Sequence, residues 1–151
     1  LGDVYKRQLV ELIIVIAIMA ILVGIVGTQV LPYINKSKEA KDFQIINSYG
    51  TAATTAYSSA AEKVTALTTV TMDDTPATTN STEPAKSLAA EIQKLTGYDT
   101  ITKDLNDKMG SKKGKTITKI VITIDPVKDK TIKTQAYAGS EKVFDEVVTQ
   151  L

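Results

Sequence analysis

The chain has 151 residues, a net charge of +1, and no Cys, His or Trp. Without Cys there is no disulfide, thiolate metal site or thiol nucleophile, and without His the commonest metal ligand and neutral-pH base are missing. So small a net charge offers no field suited to nucleic acid, and no nucleophile, base and orienting group can be named together; the composition favours a structural or interaction protein, with no catalytic residue, metal or cofactor expected.

The first eight residues, LGDVYKRQ, are polar and contain Lys6 and Arg7. They look like translated sequencing-adapter sequence, so residues 1–8 are expected to be a non-native remnant, to be set aside as a fusion scar is. Read as native, Lys6 and Arg7 form the basic flank expected on the cytoplasmic side of a membrane span.

Residues 9–31 read LVELIIVIAIMAILVGIVGTQVL, with Glu11 as the one charge. No Asp, Glu, Lys or Arg occurs between Leu12 and Asn35. As a helix this stretch is roughly 36 Å long, enough to cross a hydrocarbon core of about 30 Å. It is longer than the apolar core of a secretory signal peptide and leads directly into an amphipathic pattern. A plain anchor accounts for the length and hydropathy but not for Glu11, since a carboxylate at the edge of such a run is costly unless something pairs with it.

Residues 9–26, LVELIIVIAIMAILVGIV, resemble the N-terminal helix of type IV pilins and pseudopilins. In that family a basic leader ends in Gly, a prepilin peptidase cuts after it, the new first residue is methylated, and a Glu lies five residues into the mature chain. Leu9, Val10, Glu11 and Leu12 match that pattern. The leader Gly then falls at Lys6 and the methylated residue at Arg7, so the cleavage motif is not intact, and the departure coincides with the adapter-like residues. The resemblance implies that Glu11 meets the free amine of a neighbouring subunit in a filament, where an out-of-register neighbour would leave both charges unpaired.

Gly24, Gly27 and Pro32 mark the soft part of this helix, because Gly lowers helix propensity and Pro removes a backbone donor. Small residues also allow close helix packing. By resemblance, the helix melts locally between Gly24 and Pro32 when a subunit leaves the bilayer for the filament.

After Pro32, Lys36, Lys38, Glu39, Lys41 and Asp42 bring charge. Apolar residues then recur at Ile46, Tyr49, Ala53, Ala56, Tyr57, Ala60 and Val64, one face of a helix. One helix is predicted from about residue 9 to about residue 64, its second half covering a sheet. Tyr49 and Tyr57 read as packing, and Gly50 has no evident role.

Residues 65–82 are rich in Thr, with Asp73, Asp74, Pro76 and Asn80, and read as an irregular or extended connection. Asp73 and Asp74 read as a solvated turn, and Asn80-Ser81-Thr82 forms a glycosylation-type triplet. A helix is expected from about Thr82, with Leu88, Ile92 and Leu95 on one face and Gly97 as its stop. Ile101, Leu105 and Met109 suggest a second short helix. Ser111 to Lys115, SKKGK, reads as a basic hairpin or connecting loop, without the glycines and Ser/Thr of a phosphate loop. Residues 116–125, TITKIVITID, are the clearest strand, and residues 130–137 its antiparallel partner. Ser140 is a candidate cap for a final helix carrying Val143, Phe144, Val147, Val148 and Leu151; a last strand is the alternative.

The expected fold is α+β and pilin-like: a transmembrane or filament-core helix at 9–31, its amphipathic half at 32–64, and a head at 65–151 built on a small antiparallel sheet. The expected function is that of a structural subunit of a type IV pilus-like filament, or else a pseudopilin of a secretion or DNA-uptake machine. A simple membrane-anchored binding domain is the rival of another class. The resemblance implies copies of the same chain, a prepilin peptidase/methylase, an assembly ATPase and a membrane platform protein as partners, with lipid around the helix before assembly. It also implies a single-pass membrane protein whose head lies outside the cytoplasm, and a surface filament afterwards.

Overall fold

The computed structural model describes residues 2–151, less the side chains at 29 and 30. The chain divides into two compact units, Leu1–Ser37 and Lys38–Leu151. Helix α1, Gly2–Ala60, supplies the whole described part of the first unit and the opening element of the second. It stops at Ala60, one turn short of the expected end, where residues 61–63 form a turn and Lys63 and Val64 donate to the carbonyls of Ala60 and Ala61. Val64 is buried all the same, which is why it falls in phase with the helical stripe.

The second unit is an α+β head. Strand β1, Thr68–Met72, and the short α2, Pro76–Thr79, lie within the stretch expected to be irregular or extended. Thr68, Val70 and Met72 alternate inward while Thr69 and Thr71 do not, the two-residue period of a half-buried strand. Helix α3, Ala85–Thr96, ends as expected at Gly97, whose φ of 79° and N–H bond to the Gln93 carbonyl make it a left-handed C-cap. The expected short helix is a π-helical turn, Ile101–Leu105, running into α4, Asn106–Lys108. The SKKGK segment is a connection, not a hairpin, and contains a 3-10 turn at Gly114–Thr116. Strand β2 therefore starts three residues later than predicted, as Lys119–Asp125, and pairs with β3, Thr131–Ala138.

The final segment is strand β4, Glu141–Gln150, so the expectation of a last helix is corrected in favour of its alternative. The sheet is an antiparallel meander in the order β1-β2-β3-β4. Between β3 and β4 the register passes from Thr134↔Val147 to Ala136↔Val143, leaving Gln135 opposite Phe144, Asp145 and Glu146. This bulge puts Phe144 at φ 66°, a region that a bulky side chain rarely adopts. The Gln135 amide fills the gap by donating to the carbonyls of Ala136, Val143 and Phe144.

The inner face of the sheet, with Val70, Met72, Ile120, Ile122, Ile124, Ile132, Ala136 and Val143, forms one core with Ile46, Tyr49, Ala53 and Ala56 of α1 and Leu88, Ala89 and Ile92 of α3. This is the expected cover of a one-sided sheet by the amphipathic part of the long helix. Tyr49 is fully buried and stacks on Tyr98 with ring centroids 6.3 Å apart, while Tyr57 is partly buried against the core.

Candidate functional site

The first unit offers a surface rather than a pocket. Its large apolar side chains from Leu9 to Val26 all stand exposed, between 49% and 69% of their full area. They surround the helix instead of forming one stripe, and a helix that is apolar all round belongs in lipid or in the middle of other helices. Among the described residues, this is the one helix long and apolar enough to cross a membrane. Thr28 spends its hydroxyl on the Ile25 carbonyl at 2.9 Å, so that polar group is satisfied within the helix.

Glu11 stands at the start of this surface. Arg7 lies one turn earlier, with its Nε 3.4 Å from the Glu11 Oε1, and both side chains are largely exposed. An exposed pair at this spacing is weak in water. Lys6, also exposed, shares the same continuous helix, so residues 6 and 7, where the resemblance places the processing junction, are helical here. Beyond the helix's own backbone and the adjoining residues, nothing lies within 4 Å of where a Cβ on Gly24 or Gly27 would stand. Leu22, Val23, Val26 and Gly27 border a shallow apolar groove. Pro32 lies within α1, and its missing N–H leaves the carbonyl four residues earlier without its helical donor.

In the head, the polar side chains with the most structural consequence escaped sequence reasoning. Asp42 is 1% exposed. Its carboxylate accepts from the backbone N–H groups of Gly110 and Ser111, each at 2.8 Å, and from the Ser111 hydroxyl. The Ser111 Oγ in turn accepts from Gly114 N–H at 2.9 Å. A Cβ on Gly114 would lie 2.4 Å from the Asp42 Oδ2 and 3.0 Å from the Met109 Cβ, so only glycine fits beside the carboxylate. The lysine-rich loop is thus clamped onto α1 by one buried acid. Its sequence signal was its phase: positions 42, 46, 49, 53 and 56 repeat every three or four residues, and a carboxylate on a buried stripe needs donors.

Asn80 is similarly committed. Its side chain accepts from Thr71 N–H at 2.9 Å and donates to the carbonyls of Thr71 and Pro76 at 2.7 and 2.8 Å. It caps the outer edge of β1 as a further strand would, and the amide nitrogen of the glycosylation-type triplet is buried in these bonds.

The Asp73–Asp74 turn also ties distant parts of the chain together. Asp73 accepts from Thr75 N–H and the Thr79 hydroxyl. Asp74 accepts from the N–H groups of Ile101 and Thr102 and from the Thr102 hydroxyl, the last of which does most to hold its carboxyl below the ordinary value of 3.8. Thr100 and Asp104 complete this helix start with reciprocal side-chain-to-backbone bonds.

Gly50 also acquires a reason. A Cβ there would lie 3.4 Å from the Val147 Cγ1 and 3.5 Å from the Thr134 Oγ1, so it marks a close approach of α1 to β3 and β4. No protein-family model, no curated protein and no solved structure matches this chain.

Proposed function

We propose that this chain is the structural subunit of a type IV pilus-like surface filament, held in the membrane by its N-terminal helix until it is polymerised. The observation that carries the reading is a single carboxylate, Glu11, at the start of a helical segment exposed and apolar on every side. An anchor has no use for that charge. A bundle of identical helices does, because a paired Glu11 specifies the register in which neighbours pack. The apolar surface then serves twice, against lipid before assembly and against neighbouring helices after it. The softer stretch at Gly24, Gly27 and Pro32 supports a change of helical path between the two settings. The α+β head, with one sheet face covered by the amphipathic part of α1, fits the same reading.

The partners are further copies of the chain, a prepilin peptidase/methylase, an assembly ATPase and a membrane platform protein. The head lies outside the cytoplasm before assembly and on the filament surface afterwards.

Fibres sheared from the surface of cells carrying the gene test the proposal, by electron microscopy and by mass spectrometry of the mature N-terminus. Fibres containing this chain are expected, with Glu11→Ala abolishing them while the chain still accumulates in the membrane fraction. A Glu11→Ala chain that polymerises as well as the original defeats the assembly role. Short, envelope-confined fibres reassign the subunit to a secretion or DNA-uptake machine, and a chain that stays monomeric in the membrane is an anchored domain.

A further inference from the structure

Between Lys108 and Lys119 the chain carries five lysines and no acidic residue. Lys108, Lys112, Lys113 and Lys115 are exposed. The clamp on Asp42 presents them, because it ties down Gly110 N–H and buries Ser111 and Gly114 while the lysines between and beside them face solvent. Asp42 spends its charge on buried N–H and O–H groups and so does little to neutralise them. Lys113 is further held by its Nζ, 4.7 Å above the centre of the Phe144 ring.

The same end of the head carries exposed Lys38 and Lys41 on α1, with the Lys38 Cγ 3.7 Å from the Cβ position of Gly110. Glu39, Asp42 and Asp107 are the acids beside them in sequence, and exposed Asp145 and Glu146 follow Phe144. Among the described residues the ion pairs are Arg7–Glu11 and Lys133–Asp129, so none of these six lysines is paired.

The position of the patch in the chain identifies its partner. Lys38 comes four residues after Ile34, the last large apolar residue before the charged segment. Four residues reach at most about 14 Å even when fully extended. By chain connectivity alone, Lys38 therefore stays close to the level at which the apolar segment leaves the hydrocarbon, and the other lysines share its end of the head. There a membrane has a headgroup layer of roughly 5–7 Å, and its surface potential extends about 8 Å further at physiological salt.

We infer that Lys38, Lys41 and the lysines of residues 108–115 form a docking surface for anionic phospholipid headgroups, which seats the head on the bilayer before assembly. The inference rests on the membrane-spanning reading of the helix. A nucleic-acid partner is disfavoured, since the patch has no Arg for bidentate base contacts and no Trp for stacking. Lysines act here as point charges on phosphate and need no fixed geometry.

The test uses the full chain in phosphatidylcholine vesicles, with or without one third of phosphatidylglycerol. Flotation first establishes that the chain is membrane-bound, and amine modification read by mass spectrometry then follows each lysine. Modification of Lys112, Lys113 and Lys115 is expected to slow about fivefold in the anionic vesicles, to recover at high salt, and to be unchanged at Lys128 and Lys130. Replacing the three loop lysines by alanine is expected to abolish the anion-dependent protection of Lys38 and Lys41, with the fold checked by near-ultraviolet circular dichroism. Equal rates in the two vesicles overturn the inference while leaving the membrane span intact. So does equal protection by heparin added to phosphatidylcholine vesicles, which makes the partner a soluble polyanion. Failure to float with either vesicle overturns both readings.

Discussion

Replacing Asp42 with Ala removes the acceptor of three hydrogen bonds, from Gly110 N–H, Ser111 N–H and the Ser111 hydroxyl. A bond to a charged acceptor contributes about 1.5–3 kcal/mol, and a buried N–H left without a partner costs about 1–3 kcal/mol. The terms overlap and the loop can relax toward water, so the expected loss is about 3–4 kcal/mol, a drop of roughly 15 °C in the melting temperature of the head. Near-ultraviolet circular dichroism of the detergent-solubilised chain can follow it, because there is no Trp and the stacked Tyr49–Tyr98 pair reports on the core. Gly114→Ala strikes the same clamp from the other side, with its new Cβ 2.4 Å from the Asp42 Oδ2. It should cost about 2–3 kcal/mol alone but less than about 1 kcal/mol once Asp42 is Ala, when chiefly the contact with Met109 remains. An Asp42→Ala chain within about 0.5 kcal/mol of the original, or two strictly additive substitutions, would refute the clamp.

Three further outcomes are expected. Gly50→Ala should be neutral or stabilise by up to about 1 kcal/mol in urea unfolding, because the helix gains propensity and its Cβ meets Val147 and Thr134 at 3.4–3.5 Å, whereas Gly50→Leu should destabilise by about 2 kcal/mol through overpacking. Asn80→Ala should cost about 2 kcal/mol and speed hydrogen exchange at Thr71, whose N–H loses its acceptor; exchange as slow as in the original chain would contradict the edge cap. Asp74, Asp125 and Glu83 all hold their carboxyls below the ordinary values of 3.8, 3.8 and 4.5, through the Thr102 hydroxyl, the Lys128 N–H and the Ser87 hydroxyl respectively. Depressed folded-state values add stability above those ordinary values and lose it as pH falls through the depressed ones. The melting temperature of the head should therefore fall from about pH 4 downward, with a shallower slope in Asp74→Asn.

Much of the architecture can be read without coordinates because its signals are local. Residues 12–35 lack charge, so a long apolar helix follows from hydropathy alone. Ile46, Tyr49, Ala53 and Ala56 keep a helical interval because one face of α1 meets the core. Ile120, Ile122 and Ile124 alternate because β2 has two different faces, and Gly97 stops α3 because a left-handed cap favours a residue without Cβ.

Where local signals misled, the tertiary setting explains why. Val143 and Val147 lie four apart, an interval close to a helical turn and also a whole number of strand repeats. The bulge opposite Gln135 leaves Asp145 exposed where strict alternation calls for an inward residue, so β4 imitates a helical stripe. β1 is only five residues long and three of them are Thr, so its two apolar residues carry too little pattern to rise above a turn-rich stretch.

The sequence by itself determined the apolar span, the place of Glu11 on it, and the main helix and strand faces, since each depends on side-chain periodicity over a few turns. Only the tertiary structure decided that Asp42 clamps a loop 68 residues away, that Asn80 closes the edge of β1, and that Gly50 and Gly114 must be small. Those roles arise from donors, acceptors and steric neighbours that meet only when distant parts of the chain pack together, and no local period encodes them.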